Sequence, residues 1–146
     1  DIWTHLPKRA GDPASVHVAV YPEGRRLDDG DPQVAAMQVV LAWRERVNKA
    51  LEPFRAAKHK STDAKVTLHA SGADGHTLHD FDTRHPGQLA DLLIVSAVAV
   101  VNDGTDQIEV AEHGGHRCER CWKWFAALPA TPGDVCDRCV TALPTA

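Results

Sequence analysis

Residues 118–139 read CERCWKWFAALPATPGDVCDRC, and they hold every cysteine of the 146-residue chain. The spacing is Cys118-x2-Cys121-x14-Cys136-x2-Cys139. A C-x-x-C turn aims two sulfurs at one point in space. Two such turns supply the four donors of a tetrahedral ion, the geometry that zinc prefers. One structural zinc ion is therefore the expected cofactor, with iron or a redox-active dithiol as the alternatives. Rubredoxin-like iron sites usually place glycine just after the C-x-x-C, whereas Trp122 and Val140 stand there. A closed four-thiolate shell leaves no open coordination position, so the metal is not expected to catalyse. His113 and His116 are read as exposed polar residues, because four cysteines already complete the shell.

Four thiolates around a divalent ion leave the site at −2. Arg117, Arg120, Lys123 and Arg138 lie beside the ligands and can offset that charge, helped by backbone N–H groups directed at sulfur. They face only Glu119, Asp134 and Asp137, so the module is about −1 once the site is included and is not a basic patch. Trp122 and Trp124 alternate with Lys123 and Phe125, as on a strand. Two readings stand for these indoles. They stack on unpaired bases, or they cover the metal site and pack on the neighbouring domain, as a small scaffold requires.

Outward from this module, the chain is 43% hydrophobic and 25% charged, the composition of a folded soluble protein. The longest apolar run, Leu92 to Val101 broken only by Ser96, is too short to span a bilayer, and no signal peptide is visible. A cytoplasmic chain with no membrane partner is expected, and paired cysteines in a reducing compartment suit metal better than disulfides. Net charge is −4. Arg44 to Lys65 nonetheless carries seven basic residues against three acidic ones, a net +4 that leaves −8 for the rest. That segment is either a docking site for an anion or a solvated helix face.

Asp31 and Pro32 form an N-cap and first helical position. Met37, Val40, Trp43, Val47, Leu51 and Phe54 then recur at steps of three or four and share one helix face, with Arg46 and Lys49 on the other side. Pro53 should kink this helix, or end it and start another turn. Valines alternate from Val16 to Val20 and apolar residues alternate from Ala64 to Ala70, predicting two strands. Gly72 and Gly75 mark a turn, and a short helix is expected from about Pro86 to Leu92. The run ending in Asn102-Asp103-Gly104 reads as a buried strand, and Gln107 to Ala111 as a neighbouring one. Gly114-Gly115 would be a hinge before the cysteine module. These elements predict an α+β fold, a small helix-and-strand domain followed by a four-cysteine, zinc-ribbon-like finger. Residues 1–31 form a linker with one short strand, 32–112 the α+β domain and 113–146 the finger. So much linker at the start predicts that another domain precedes it. No Walker loop, dinucleotide fingerprint or catalytic constellation is present in the sequence.

The whole chain is also collinear with one family. "DIWTHLP", "SVHVAVYPE", "WRERVNKALEPFR", "STDAKVTLHA", "LADLLIVSAVAVV" and "IEVAEHGGHRCERCWKW…VCDRCV" resemble successive segments of the C-terminal region of bacterial-type isoleucyl-tRNA synthetase, including its terminal zinc finger. "C-E-R-C-W" is the most specific element. The chain departs from the family in lacking an Ile-Gly before Ser61, in carrying Thr62 and Asp63 for Leu and Glu, and in Pro53. His113 to His116 has the H-x-G-H form of a synthetase nucleotide site, but it stands at the wrong end and is read as coincidence. The resemblance implies an isoleucine-tRNA ligase whose catalytic and editing domains lie N-terminal to everything here. This region would then be a monomeric, tRNA-binding part on the anticodon side, serving protein biosynthesis without a catalytic site of its own. It implies phosphate contacts from Arg46, Lys49, Lys58 and Lys60, and anticodon contacts from Arg120, Trp122, Lys123 and Trp124. The alternatives are a stand-alone zinc ribbon binding DNA or protein, and a purely structural tail.

Overall fold

The structure, a computed structural model, describes residues 2–21, 23, 24, 28, 30–130 and 133–142. The expected linker also runs through positions 1, 22, 25–27 and 29, which lie outside the described residues. It opens with α1 (Ile2–His5) and a single 3-10 turn at Val16–Val18. That turn corrects the strand expected from Val16 to Val20. Alternation specifies a strand only where a partner covers one face, and Val16, Val18 and Val20 are all exposed. The hydroxyl of Ser15 instead accepts the N–H of His17 and caps the turn.

α2 (Pro32–Ala50) begins as expected, with Asp31 Oδ1 accepting the N–H of Gln33 at 2.8 Å. Its apolar face is the predicted one. Val40, Trp43, Val47 and the following Leu51 are buried, flanked by the half-buried Met37 and Phe54. Pro53 ends the helix rather than kinking it. The chain turns at Leu51 and restarts as α3 (Glu52–Ala56), with the proline in its first turn, where a missing N–H costs nothing.

β1 (Ala64–His69) lies at the centre of a three-stranded sheet of order β2-β1-β3. β2 (Ala97–Val101) runs parallel to it and β3 (Gln107–Glu112) antiparallel, with Val66 facing Val98 on one side and Val110 on the other. β3 therefore returns beside β1 rather than beside β2. Ala64, Val66 and Leu68 share one face of β1 and are fully buried against α2, α4 (Gly72–Arg84) and α5 (Gln88–Leu93). The fold is α+β, as the sequence predicts.

The largest departure is α4, a 13-residue helix opened by the two glycines expected to form a turn. Gly75 is buried where the helix crosses the end of β1. A Cβ there would meet the Ala70 carbonyl oxygen at 2.6 Å, so glycine permits close approach rather than chain reversal. The buried run from Leu92 is also divided. Leu92 and Leu93 end α5, Ile94 takes a left-handed turn (φ 58°), and β2 starts at Ala97 as a half-buried edge strand.

Trp43, the largest buried side chain, donates its indole N–H to Asp74 Oδ2 at 3.0 Å, joining α2 to α4. His69 is the last residue of β1. Its Nδ1 lies 2.6 Å from Asp103 Oδ2 in the β2–β3 turn, and its Nε2 lies 3.6 Å from Glu109 Oε2 on β3. The hydrogen bond to Asp103 raises the imidazole pKa above its ordinary 6.5, and the same bond, with Thr105, holds Asp103 down at about 2.

Two outcomes follow from these contacts. Gly75→Ala should lower stability by about 2 kcal/mol in urea denaturation, because the helix must move off Ala70. The His69–Asp103 pair contributes fully between about pH 3.8 and 6.5. Above that window its contribution is lost as pH rises through the raised imidazole pKa, and below it as Asp103 protonates. Asp103→Asn should therefore flatten the fall in melting temperature between about pH 6 and pH 8, relative to the unaltered chain.

Candidate metal centre

After β3 the chain crosses Gly114-Gly115 into a two-stranded ribbon, β4 (His116–Arg117) paired with β5 (Trp124–Phe125). Cys118 follows β4 directly. Its N–H donates to the Lys123 carbonyl and its own carbonyl accepts the N–H of Trp122, both at 2.9 Å. These bonds close a knuckle that holds Cys118 and Cys121 together. The second knuckle leads into α6 (Asp137–Ala142), where the N–H groups of Cys139 and Val140 both donate to the Cys136 carbonyl. The Glu119 N–H joins the two knuckles by donating to the Asp134 carbonyl at 2.9 Å.

This brings together all four predicted ligands, Cys118, Cys121, Cys136 and Cys139, with their sulfurs within 4.8 Å of one another. Cys121 Sγ and Cys136 Sγ are 3.8 Å apart. A tetrahedral zinc ion about 2.3 Å from each thiolate separates its sulfurs by about 3.8 Å, whereas a disulfide needs about 2.0 Å. Phe125, Leu128 and Val135 pack around the sulfurs.

The electrostatics point the same way. Burial pushes the Cys121 thiol up to about 12 and raises Cys136 as well. Burial also opposes ionisation of Cys118, but backbone N–H groups of Cys121, Cys136 and Arg120 outweigh it and draw that thiol down to about 6. The Cys136 N–H lies 3.3 Å from Cys118 Sγ. Protein dipoles thus favour a thiolate at Cys118 and leave Cys121 and Cys136 short of positive charge, which a divalent cation would supply. The residues present fit such an ion.

The flanking cations behave differently from expectation. Lys123 Nζ and Arg138 Nη1 both turn to Asp91 on α5, the second at 3.7 Å. Arg117 and Arg120 are exposed. His116 is exposed as expected, but His113 is half-buried beside Lys65, and burial lowers its pKa. Gly114-Gly115 is not a free hinge either. A Cβ at Gly115 would lie 2.2 Å from the Phe125 carbonyl oxygen, so the ribbon packs directly on this glycine.

The two indoles part company. Trp122 takes a left-handed conformation (φ 61°) rather than a strand one, and is 58% exposed. The Lys60 ammonium sits over its ring, 5.6 Å from the centroid. Trp124 is half-buried at the junction with the sheet. Its N–H donates to Ser96 Oγ at 2.7 Å and its indole N–H to Asp63 Oδ1 at 2.9 Å. The remaining candidates are spread out. Lys49 and Lys58 are exposed, the latter at φ 72°, while Arg46 lies 3.8 Å over the Trp43 ring and donates to the Asp106 carbonyl. Sequence reasoning missed Asp63, Ser96 and Asp91. The one available signal was Asp63 standing where the resembled family has Glu.

No family model matches the chain. Curated isoleucine–tRNA ligases do, in their C-terminal region. The chain is 31% identical to that of Geobacter sulfurreducens over 98% of its own length, and 34% identical to that of Gloeobacter violaceus over 98%. It is 34% identical to that of Bordetella pertussis over 94%. It spans 16%, 15% and 15% of these relatives' lengths.

Treatment of zinc-loaded protein with a chelator should expose four titratable thiols and lose the β4–β5 pairing. Exchange-protected amides of Val66 and Leu68 should persist, because their core contains no cysteine. Thiol titration and amide exchange on one sample check both halves.

Proposed function

From a chain similar over nearly its whole length to the C-terminal region of isoleucine–tRNA ligases, we propose that it serves such an enzyme by binding isoleucine tRNA on the anticodon side. Catalysis and editing fall to N-terminal domains outside the present sequence. In this reading residues 1–31 are a linker, 32–112 an α+β unit and 113–146 a zinc finger, working in the cytoplasm in protein synthesis. The observation that carries it is the similarity to these ligases at 31% and 34% identity, which covers 98% of the chain.

Zinc is the ion best suited to the site, being a four-coordinate partner of thiolates with no redox chemistry of its own. When bound it supplies folding free energy to the ribbon, which has a core of few residues. Cys118, Cys121, Cys136 and Cys139 would hold it. The exposed indole of Trp122 is the group suited to stack on an unpaired base, a contact of about 1–3 kcal/mol. Lys60 stands beside it to meet a phosphate, with Lys49, Lys58 and Arg120 exposed for further contacts. Lys123 and Trp124 are tied to Asp91 and Asp63 and support the fold beneath that surface, while Arg46 is exposed and donates to the Asp106 carbonyl.

The test is a titration of isoleucine tRNA against the metal-loaded chain at several salt concentrations. Affinity should fall steeply with salt. Trp122→Ala should weaken binding by about tenfold or more at every salt concentration, and Lys60→Ala should reduce the salt slope. A chain that holds zinc yet binds no isoleucine tRNA at low salt contradicts the reading and leaves a structural role.

A further inference from the structure

Among the residues between the metal-binding ribbon and the sheet, Asp63 ties its own turn to two other pieces of the chain. Its Oδ1 accepts the Trp124 indole N–H, its Oδ2 accepts the backbone N–H of Lys60 at 2.8 Å, and its carbonyl accepts the N–H of His113 at 2.9 Å. Trp124 belongs to β5. Lys60 carries the ammonium that faces Trp122. His113 opens the connection from β3 to the ribbon. Ser96 adds a second bridge from the same side, accepting the Trp124 N–H while its hydroxyl donates to the Thr62 carbonyl. One carboxylate therefore binds both the strand that follows the first cysteine knuckle and the residue whose side chain meets that knuckle's exposed indole.

The chemistry suits this task. Burial disfavours the Asp63 charge, but the Lys60 N–H and the Trp124 indole N–H outweigh it, and the carboxyl titrates below its ordinary value. The group stays an acceptor for both donors across the neutral range. A hydrogen bond to a charged acceptor is also stronger than a neutral one.

We propose that Asp63 is a positioning residue: by holding the Trp124 indole and the Lys60 backbone on its two oxygens, it fixes Trp122 and Lys60 side by side as one RNA-contacting pair. This rests on the RNA-binding reading above. It deepens that reading by assigning the geometry of the pair to a carboxylate that is neither a metal ligand nor part of the pair.

The experiment uses the metal-loaded full chain, with isoleucine tRNA as the probe. Asp63→Ala should speed amide hydrogen exchange at Trp124 and Phe125 by about tenfold and weaken tRNA binding by about tenfold. The metal-to-protein ratio and the exchange rates of Val66 and Leu68 should not change. Trp124→Phe removes the indole N–H while keeping a smaller aromatic ring in its place, so it should reproduce both effects. Combining it with Asp63→Ala should add no further loss of affinity. Asp63→Asn keeps one acceptor for the indole but turns its NH2 toward the Lys60 N–H, so it should restore slow exchange in β5 while recovering only part of the binding. Exchange that accelerates equally in β1 marks Asp63 as a general stability residue and overturns the proposal. So does unchanged exchange in β5, or simple additivity of the two variants. The exchange measurement needs no RNA. If β5 loosens in Asp63→Ala but the unaltered chain binds no tRNA, the RNA reading falls, and with it the proposed pair. If the unaltered chain binds tRNA and Asp63→Ala binds equally well, the positioning role falls alone.

Discussion

Burial of Ala64, Val66 and Leu68 on one face of β1 is the constraint from which the rest of the molecule hangs. These residues have no exposed surface, and both edges of their strand are paired. Three helices meet on that face because each brings a narrow apolar stripe that needs a cover. Val40, Trp43 and Val47 come from α2, Leu78 from α4, and Leu89 and Leu93 from α5. At about 25 cal/mol per Å² of apolar surface removed from water, such a cluster is the main source of stability in a chain this size. It also sets the place of everything polar. Asp63 immediately precedes the strand, Ser96 precedes β2, and Asp91 lies on α5, so the groups that receive the ribbon are held by the core itself.

The ribbon has the opposite economy. Its interior is four sulfurs with Phe125, Leu128 and Val135 around them, too little apolar surface to fold unaided. Charge governs it instead. Backbone N–H groups favour a thiolate at Cys118, while burial raises the Cys121 and Cys136 thiols, whose ionisation a cation at the centre of the cluster would favour. Docking is polar as well. Trp124 reaches Asp63 and Ser96, and Lys123 reaches Asp91, so the ribbon meets the sheet through directional bonds rather than a shared core. Directional bonds specify orientation where apolar contact alone would permit sliding.

What could be read from the sequence was whatever depends on neighbours. The cysteine spacing is local, and the four cysteines lie together as that spacing predicts. The α2 stripe repeats over six positions, enough to reveal its face and its end at Pro53. The α4 helix escaped because its chief apolar residues are Leu78 and Phe81, amid His76, His79 and Asp80, and its glycines resemble a turn. Their purpose was visible only once Ala70 lay against Gly75. The valines at 16, 18 and 20 misled for the converse reason, since a periodic pattern without a covering partner does not make a strand. Asp63, Ser96 and Asp91 stayed hidden because their partners in the ribbon lie 61, 28 and 32 residues away.

The conformation of Trp122 has one more consequence. A large side chain held at φ 61° sits in a region that costs an L-residue roughly 1–2 kcal/mol. It persists because its N–H is tied to the carbonyl of Cys118, within the first cysteine knuckle. The indole therefore leaves the surface from a backbone whose conformation is set before any contact is made. A partner that stacks on it forfeits little conformational entropy, so more of the stacking energy survives as affinity. The strain is placed on the folding of the knuckle, and the encounter is relieved of it.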